Sequence, residues 1–238
     1  FEHLGQVGTG HTVLVNRGRL GEAMHWFEEA ISALGDDPFA AANLRMNRSL
    51  VAMQMRDLPA AIDDLEQAVA AFEQHAEPVD VAEARHNLGY TALLGGDLVR
   101  AMREMGAARP VIAAASEANA AIGDVDMAEA LRDAGLVTEA ERLLRQAAQA
   151  FRENGMPQAR AEAELQLARS LLRHDPVEAA QVAGVAARHF ASLDADAWAD
   201  RARGIRLRAL LSGGAVDRSG RVVSDPVVDI AEVGPVAT

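Results

Sequence analysis

Alanine recurs in this chain on a fixed period, and that period leaves few folds open. It stands at 23, 61, 101, 140 and 179, spaced 38, 40, 39 and 39 residues apart. Each closes a similar phrase, as in Gly18-Arg19-Leu20-Gly21-Glu22-Ala23 and Gly96-Asp97-Leu98-Val99-Arg100-Ala101. Seven residues later alanine returns in all five copies (Ala30, Ala68, Ala108, Ala147, Ala186). Four further on comes a large apolar residue each time (Leu34, Phe72, Ile112, Phe151, Phe190). Spacings of seven and four are helical, and a repeat of just under 40 residues marks an array in which each unit packs only on its neighbours. The expected fold is all-α: about five tandem helical hairpins forming a solenoid, closed by a C-terminal capping helix.

Local signals place the helices. The first hairpin is expected to pair a helix over Gly8–Arg17 with one over Leu20–Leu34, stopped by Gly35-Asp36-Asp37-Pro38. The second pairs Phe39–Met55 with Leu58–Gln74, with Asp57 as N-cap and Pro59 in the first turn, where a missing N–H does no harm. The third pairs Val81–Leu94 with Leu98–Arg109. Pro110 is expected to kink or end that helix, and residues 111–123 to resume it. The fourth pairs Val125–Ala134 with Thr138–Glu153, and the fifth pairs Gln158–Arg173 with Pro176–Ser192. A last helix over Ala195–Leu211 reads as the cap that covers the final apolar face. Residues 1–212 thus form the array. Residues 213–238 lose the helical period, and their valine-rich stretch, interrupted by Pro226, is expected to be a flexible or extended tail able to lie in a groove and to mediate self-association.

Composition excludes much chemistry. With no cysteine there are no disulfides, zinc thiolates or cysteine nucleophiles. All 23 basic residues are arginine, so Schiff-base and P-loop lysines are absent too. A net charge of −12 argues against nucleic acid and against an anionic membrane surface as partners. No apolar run approaches a membrane span, and a cytoplasmic location is expected. The seven histidines include no pair at helical metal-ligand spacing, Asp124-Val125-Asp126 lacks the rest of a calcium loop, and the sequon Asn47-Arg48-Ser49 falls inside an expected helix. No catalytic residue, metal or cofactor is assigned.

The columns of small and large residues resemble the tetratricopeptide repeat (TPR). Asn87-Leu88-Gly89-Tyr90 with Gly96, Ala101, Met105 and Ala108 is the best copy, and Gly18, Ala23, Phe27 and Ala30 the next. The period exceeds the roughly 34 residues usual in that family. The extra residues are expected between units, at 36–38, 77–78, 111–123 and 155–157. A narrower likeness joins Ala84-Arg85-His86-Asn87-Leu88-Gly89, the stretch from Asp126 to Leu136, and Ala163-Glu164-Leu165-Gln166-Leu167-Ala168. These phrases resemble the TPR arm of bacterial CHAT proteins, where such an arm precedes a caspase-like peptidase domain.

The TPR resemblance implies a right-handed superhelix whose inner groove is lined by the first helix of each hairpin. That face would hold Asn43, Met46, Asn47, Leu50 and Met53 from the second hairpin. The third adds Glu83, His86, Asn87 and Tyr90, and the fourth adds Glu129, Arg132 and Asp133. Asn47 and Asn87 occupy matching places, and an amide there can both donate to and accept from a bound backbone. The expected function is a non-catalytic scaffold that binds a peptide or protein segment. The alternative is the sensor arm of a larger CHAT-type peptidase whose catalytic part lies outside this chain.

Overall fold

The computed structural model describes residues 19–35 and 37–213. The expected helix over 8–17 and the tail beyond 213 lie outside them. Among the described residues the chain is all-helical, with no strand. No helix there is long and apolar enough to cross a membrane.

The chain divides after Asn154 into two compact units. The first holds α1 (Leu20–Ala33), α2 (Pro38–Gln54), α3 (Leu58–Gln74), α4 (Pro78–Leu94), α5 (Leu98–Ala115), α6 (Glu117–Asp133) and α7 (Val137–Glu153). The second holds α8 (Pro157–Leu171), α9 (Pro176–Ala191) and α10 (Asp196–Gly213). Consecutive helices pack as antiparallel hairpins within each unit. In the first unit α2 also touches α4, and α4 touches α6; in the second α8 touches α10.

Punctuation is local. The carboxylates of Asp37, Asp57, Asp97 and Asp175 accept backbone N–H groups that open their helices, and the Ser116 hydroxyl does the same for α6. Pro38, Pro59, Pro78, Pro157 and Pro176 sit in first turns. Several helices close through one left-handed residue. Glycine takes that place at Gly96 (φ 85°) and Gly135 (φ 82°), but Arg56 (φ 63°) and Ala76 (φ 56°) take it in equivalent turns.

Two expectations are corrected. The residues beyond the usual period lengthen the helices rather than the loops: α2, α3, α4, α6 and α7 are each 17 residues long, joined by tight turns. Pro110 does not end its helix, since α5 continues to Ala115. Pro110 and Gly106, whose carbonyl the proline cannot pair with, are both exposed, so water can take the vacated bond. The break comes at Ser116 (φ −157°, ψ 113°), and α6 starts at Glu117 instead of Val125.

The alanine columns form the cores. In α3, Ala61, Leu65, Ala68 and Phe72 are all fully buried, as are Ala179, Ala183 and Ala186 in α9. In the first copy the last place fails: Leu34 follows the end of α1 and is 37% exposed. Gly89 marks a close crossing of α4 and α5. A Cβ there would stand 2.8 Å from Met105 Cγ and 3.0 Å from the Ala101 carbonyl oxygen. Two bidentate ion pairs with buried aspartates tie neighbouring helices: Arg48 to Asp64 at 2.8 and 2.6 Å, and Arg109 to Asp124 at 2.7 and 2.8 Å. In the second unit Glu164 accepts from Arg160 at 2.8 Å and meets His189 Nδ1 at 2.7 Å.

Candidate binding face

In the first unit, α2, α4 and α6 open their hairpins and touch in sequence. Counting from each helix start, the same register position falls at Leu50, Tyr90 and Glu129, and another at Asn47, Asn87 and Asp126. The expected groove residues therefore share a helix face, but the structure divides them by depth.

On α2 the groups stay near their own helix. The Asn47 amide donates to the Asn43 carbonyl at 3.0 Å, and the Asn43 amide to Phe39 at 3.5 Å. Met46 and Leu50 are half-buried against the core, and Met53 is in it. On α4, His86, Asn87 and Tyr90 are buried as well. Met53, His86, Asn87 and Tyr90 thus do not line an open groove. The physical reason is clearest for α4, which packs against α3 and α5 and also touches α2 and α6. The His86 ring reaches Asp126 Oδ2 at 3.0 Å and lies so close to α6 that a Cβ on Gly123 would be 2.9 Å from it. The Asn87 carbonyl accepts the Thr91 hydroxyl at 2.8 Å.

What α4 and α6 bring to one face is a row of carboxylates, two of which, Asp126 and Glu129, act on the Tyr90 phenol. Glu83 is half-buried, and its carboxyl is pushed above the usual range, first by burial and then by Asp80, against an opposing hydrogen bond from Asn119. Burial likewise raises Glu129. Asp126 and Asp133 add to the rise, and Arg132 opposes it. The Tyr90 hydroxyl is pushed up by burial and by the negative charge of Glu129 and Asp126. Asp80 is raised by burial and by Glu77. Asp80, Glu83, Asp126, Glu129 and Asp133 thus make the α4–α6 face strongly negative, relieved by Arg132. Sequence reasoning missed Asp80 and Asp126, although Asp126 occupies the register position of Asn47 and Asn87.

No family model matches the sequence, and no curated protein does. Solved structures do. A Rap protein complexed with competence and sporulation factor superposes with a TM-score of 0.74 at 13% identity, covering 85% of this chain; the chain spans 61% of that protein. A kinesin-light-chain protein of nearly identical TPR-like repeats, from Podospora anserina, gives a TM-score of 0.62 at 16% identity, covering 77% of this chain and 92% of its own. BtubC (BKLC) from P. vanneervenii gives 0.54 at 12% identity, covering 93% and 99%. None of these likenesses supports the resemblance to CHAT proteins. At such identities they bear on fold alone, and the fold they share with this chain is a tandem run of TPR-like helical hairpins.

Proposed function

We propose that this chain is a non-catalytic interaction module that binds a cationic segment of a protein partner on the face of α2, α4 and α6. The observation that carries this reading is two half-buried carboxylates on adjoining helices, Glu83 of α4 repelled by Asp80, and Glu129 of α6 repelled by Asp126 and Asp133 and acting on Tyr90, each kept at a cost in desolvation. Natural proteins accept such local cost where binding needs it. An arginine or lysine side chain seated there would offset the repulsion, and Met46 and Leu50 on the adjoining α2 offer apolar contact to its neighbours in the segment. A structural neighbour, the Rap protein, was captured in complex with competence and sporulation factor.

The test is fluorescence anisotropy of the full chain with a labelled peptide containing two arginines, against the same peptide with glutamines. Binding should weaken about tenfold in the Glu83→Gln, Glu129→Gln double variant. It should be unchanged in Glu139→Gln, Glu153→Gln, which removes equal charge from α7. Affinity should rise with pH through the raised carboxyl range, because the cation binds the ionised forms. Equal affinity for the two peptides, or equal losses in the two double variants, would reject the assignment.

A further inference from the structure

The second unit holds a cleft of about 460 Å3 lined by Arg169 and Leu172 of α8 and by Arg201, Gly204, Ile205 and Arg208 of α10. Three guanidinium groups border it and no carboxylate does. Arg201 and Arg208 are seven residues apart, so they share one helix face with their Cα atoms ~10 Å apart along the axis. Between them, a Cβ on Gly204 would meet nothing within 4 Å, which leaves that stretch of the wall open. Leu172 and Ile205 supply an apolar floor. Arg201 is steadied from behind: its guanidinium carbon lies 4.6 Å from the centroid of the Trp198 ring, which stacks on Phe190 at 5.7 Å. The nearby Arg203 is already neutralised by Asp200 at 2.6 Å, whereas no carboxylate among the described residues pairs with Arg201 or Arg208. In a chain of net charge −12, which has acids to spare, two arginines at a cleft mouth with no carboxylate partner among the described residues are a departure that calls for an anion.

We propose that this cleft binds an acidic protein segment in an extended, polyproline-II-like conformation, through two carboxylates three residues apart. Such a segment rises about 3.1 Å per residue with three residues per turn, so its positions i and i+3 lie on one side, ~9 Å apart. That spacing matches the two forks of α10, one carboxylate to each, and each fork can grip its carboxylate through two N–H donors. Arg169 of α8 borders the same cleft. The site is independent of the α2–α4–α6 face, which calls for charge of the opposite sign.

The experiment uses the full chain and a fluorescein-labelled, proline-rich peptide with glutamates at i and i+3, compared with its glutamine counterpart. Arg201→Gln and Arg208→Gln should each weaken binding of the glutamate peptide by roughly five- to tenfold. Arg203→Gln should leave it unchanged, and the glutamine peptide should not bind. All three arginines are exposed, so the variants should keep wild-type helicity by circular dichroism. The proposal is overturned if the glutamate peptide does not bind, if both peptides bind alike, or if Arg203→Gln loses as much as Arg208→Gln. It is also overturned if inorganic phosphate binds more tightly than the peptide, which would assign the cleft to small anions.

Discussion

Gly89 shows how far one atom matters in a fold made of close helix crossings. It sits against the Ala101 backbone and the Met105 side chain, where an added methyl group would stand inside contact distance of both. Met105 can swing away, but the Ala101 carbonyl belongs to a helix and cannot. Gly89→Ala should therefore lower stability by about 1–3 kcal/mol, read from the urea midpoint, despite the better helix propensity of alanine. An unchanged midpoint would mean that α4 and α5 do not approach so closely. Glu129 makes the opposite point. Burial raises its carboxyl in the folded chain above the unfolded value, so its ionisation costs stability as pH rises through the folded range, and nothing is lost below the unfolded range. Glu129→Gln should therefore raise the melting temperature at pH 7 and leave it unaltered near pH 3.5. A drop at pH 7 would show that the charge is held by a favourable contact instead.

Helix identity was legible in the sequence, and helix length was not. The alanine columns, the Asp caps and the first-turn prolines located nearly every element, because each acts through neighbours a few residues away. Where the structure departs from these signals, a tertiary effect and a solvent effect are responsible. The residues beyond the usual period read as loop, yet they extend helices whose buried faces continue to the last turn. Pro110 alone allows either a kink or an end, and the helix does not end: Ile112 beyond it fills the large apolar column and is 5% exposed, so packing outweighs the lost backbone bond. The proline therefore works against α5 without serving the core, since it is exposed. Pro110→Ala should stabilise the chain by about 1–2 kcal/mol, the helix gain being partly offset by the freer unfolded chain. A loss of stability would show that α5 needs a bend at this point. The candidate face was half legible for a related reason. Periodicity gives the side of a helix but not how deeply its neighbours cover it, so the buried His86, Asn87 and Tyr90 were read as open groove. The arginine cleft is not legible from the repeat, in which α10 reads only as a cap. Carrying the repeat register one step further places Arg208 at the position of Tyr90, Glu129 and Arg169.

A repeat fold distributes its stability by neighbours, and each unit can be ranked from within. In the first unit α4 is packed against α2, α3, α5 and α6, whereas α1 packs against α2. Among the described residues, opening α1 exposes one interface, but opening α4 exposes four, together with the Gly89 crossing and the His86 contact to α6. Local opening free energies should follow that order. Native-state amide exchange should thus be slowest across 78–94 and fastest in 20–33, with α2 and α6 between them. The carboxylates of the candidate face complicate the ranking usefully. Glu83 lies on the best-protected helix, so a cationic segment bound there cannot gain affinity by ordering α4, which is ordered already. Its binding should slow exchange in α6 more than in α4, because α6 has less protection of its own and carries Asp126, Glu129 and Asp133. Protection rising equally in both helices would mean that the segment clamps the pair as one body. Slowing confined to 78–94 would move the binding surface off α6 altogether.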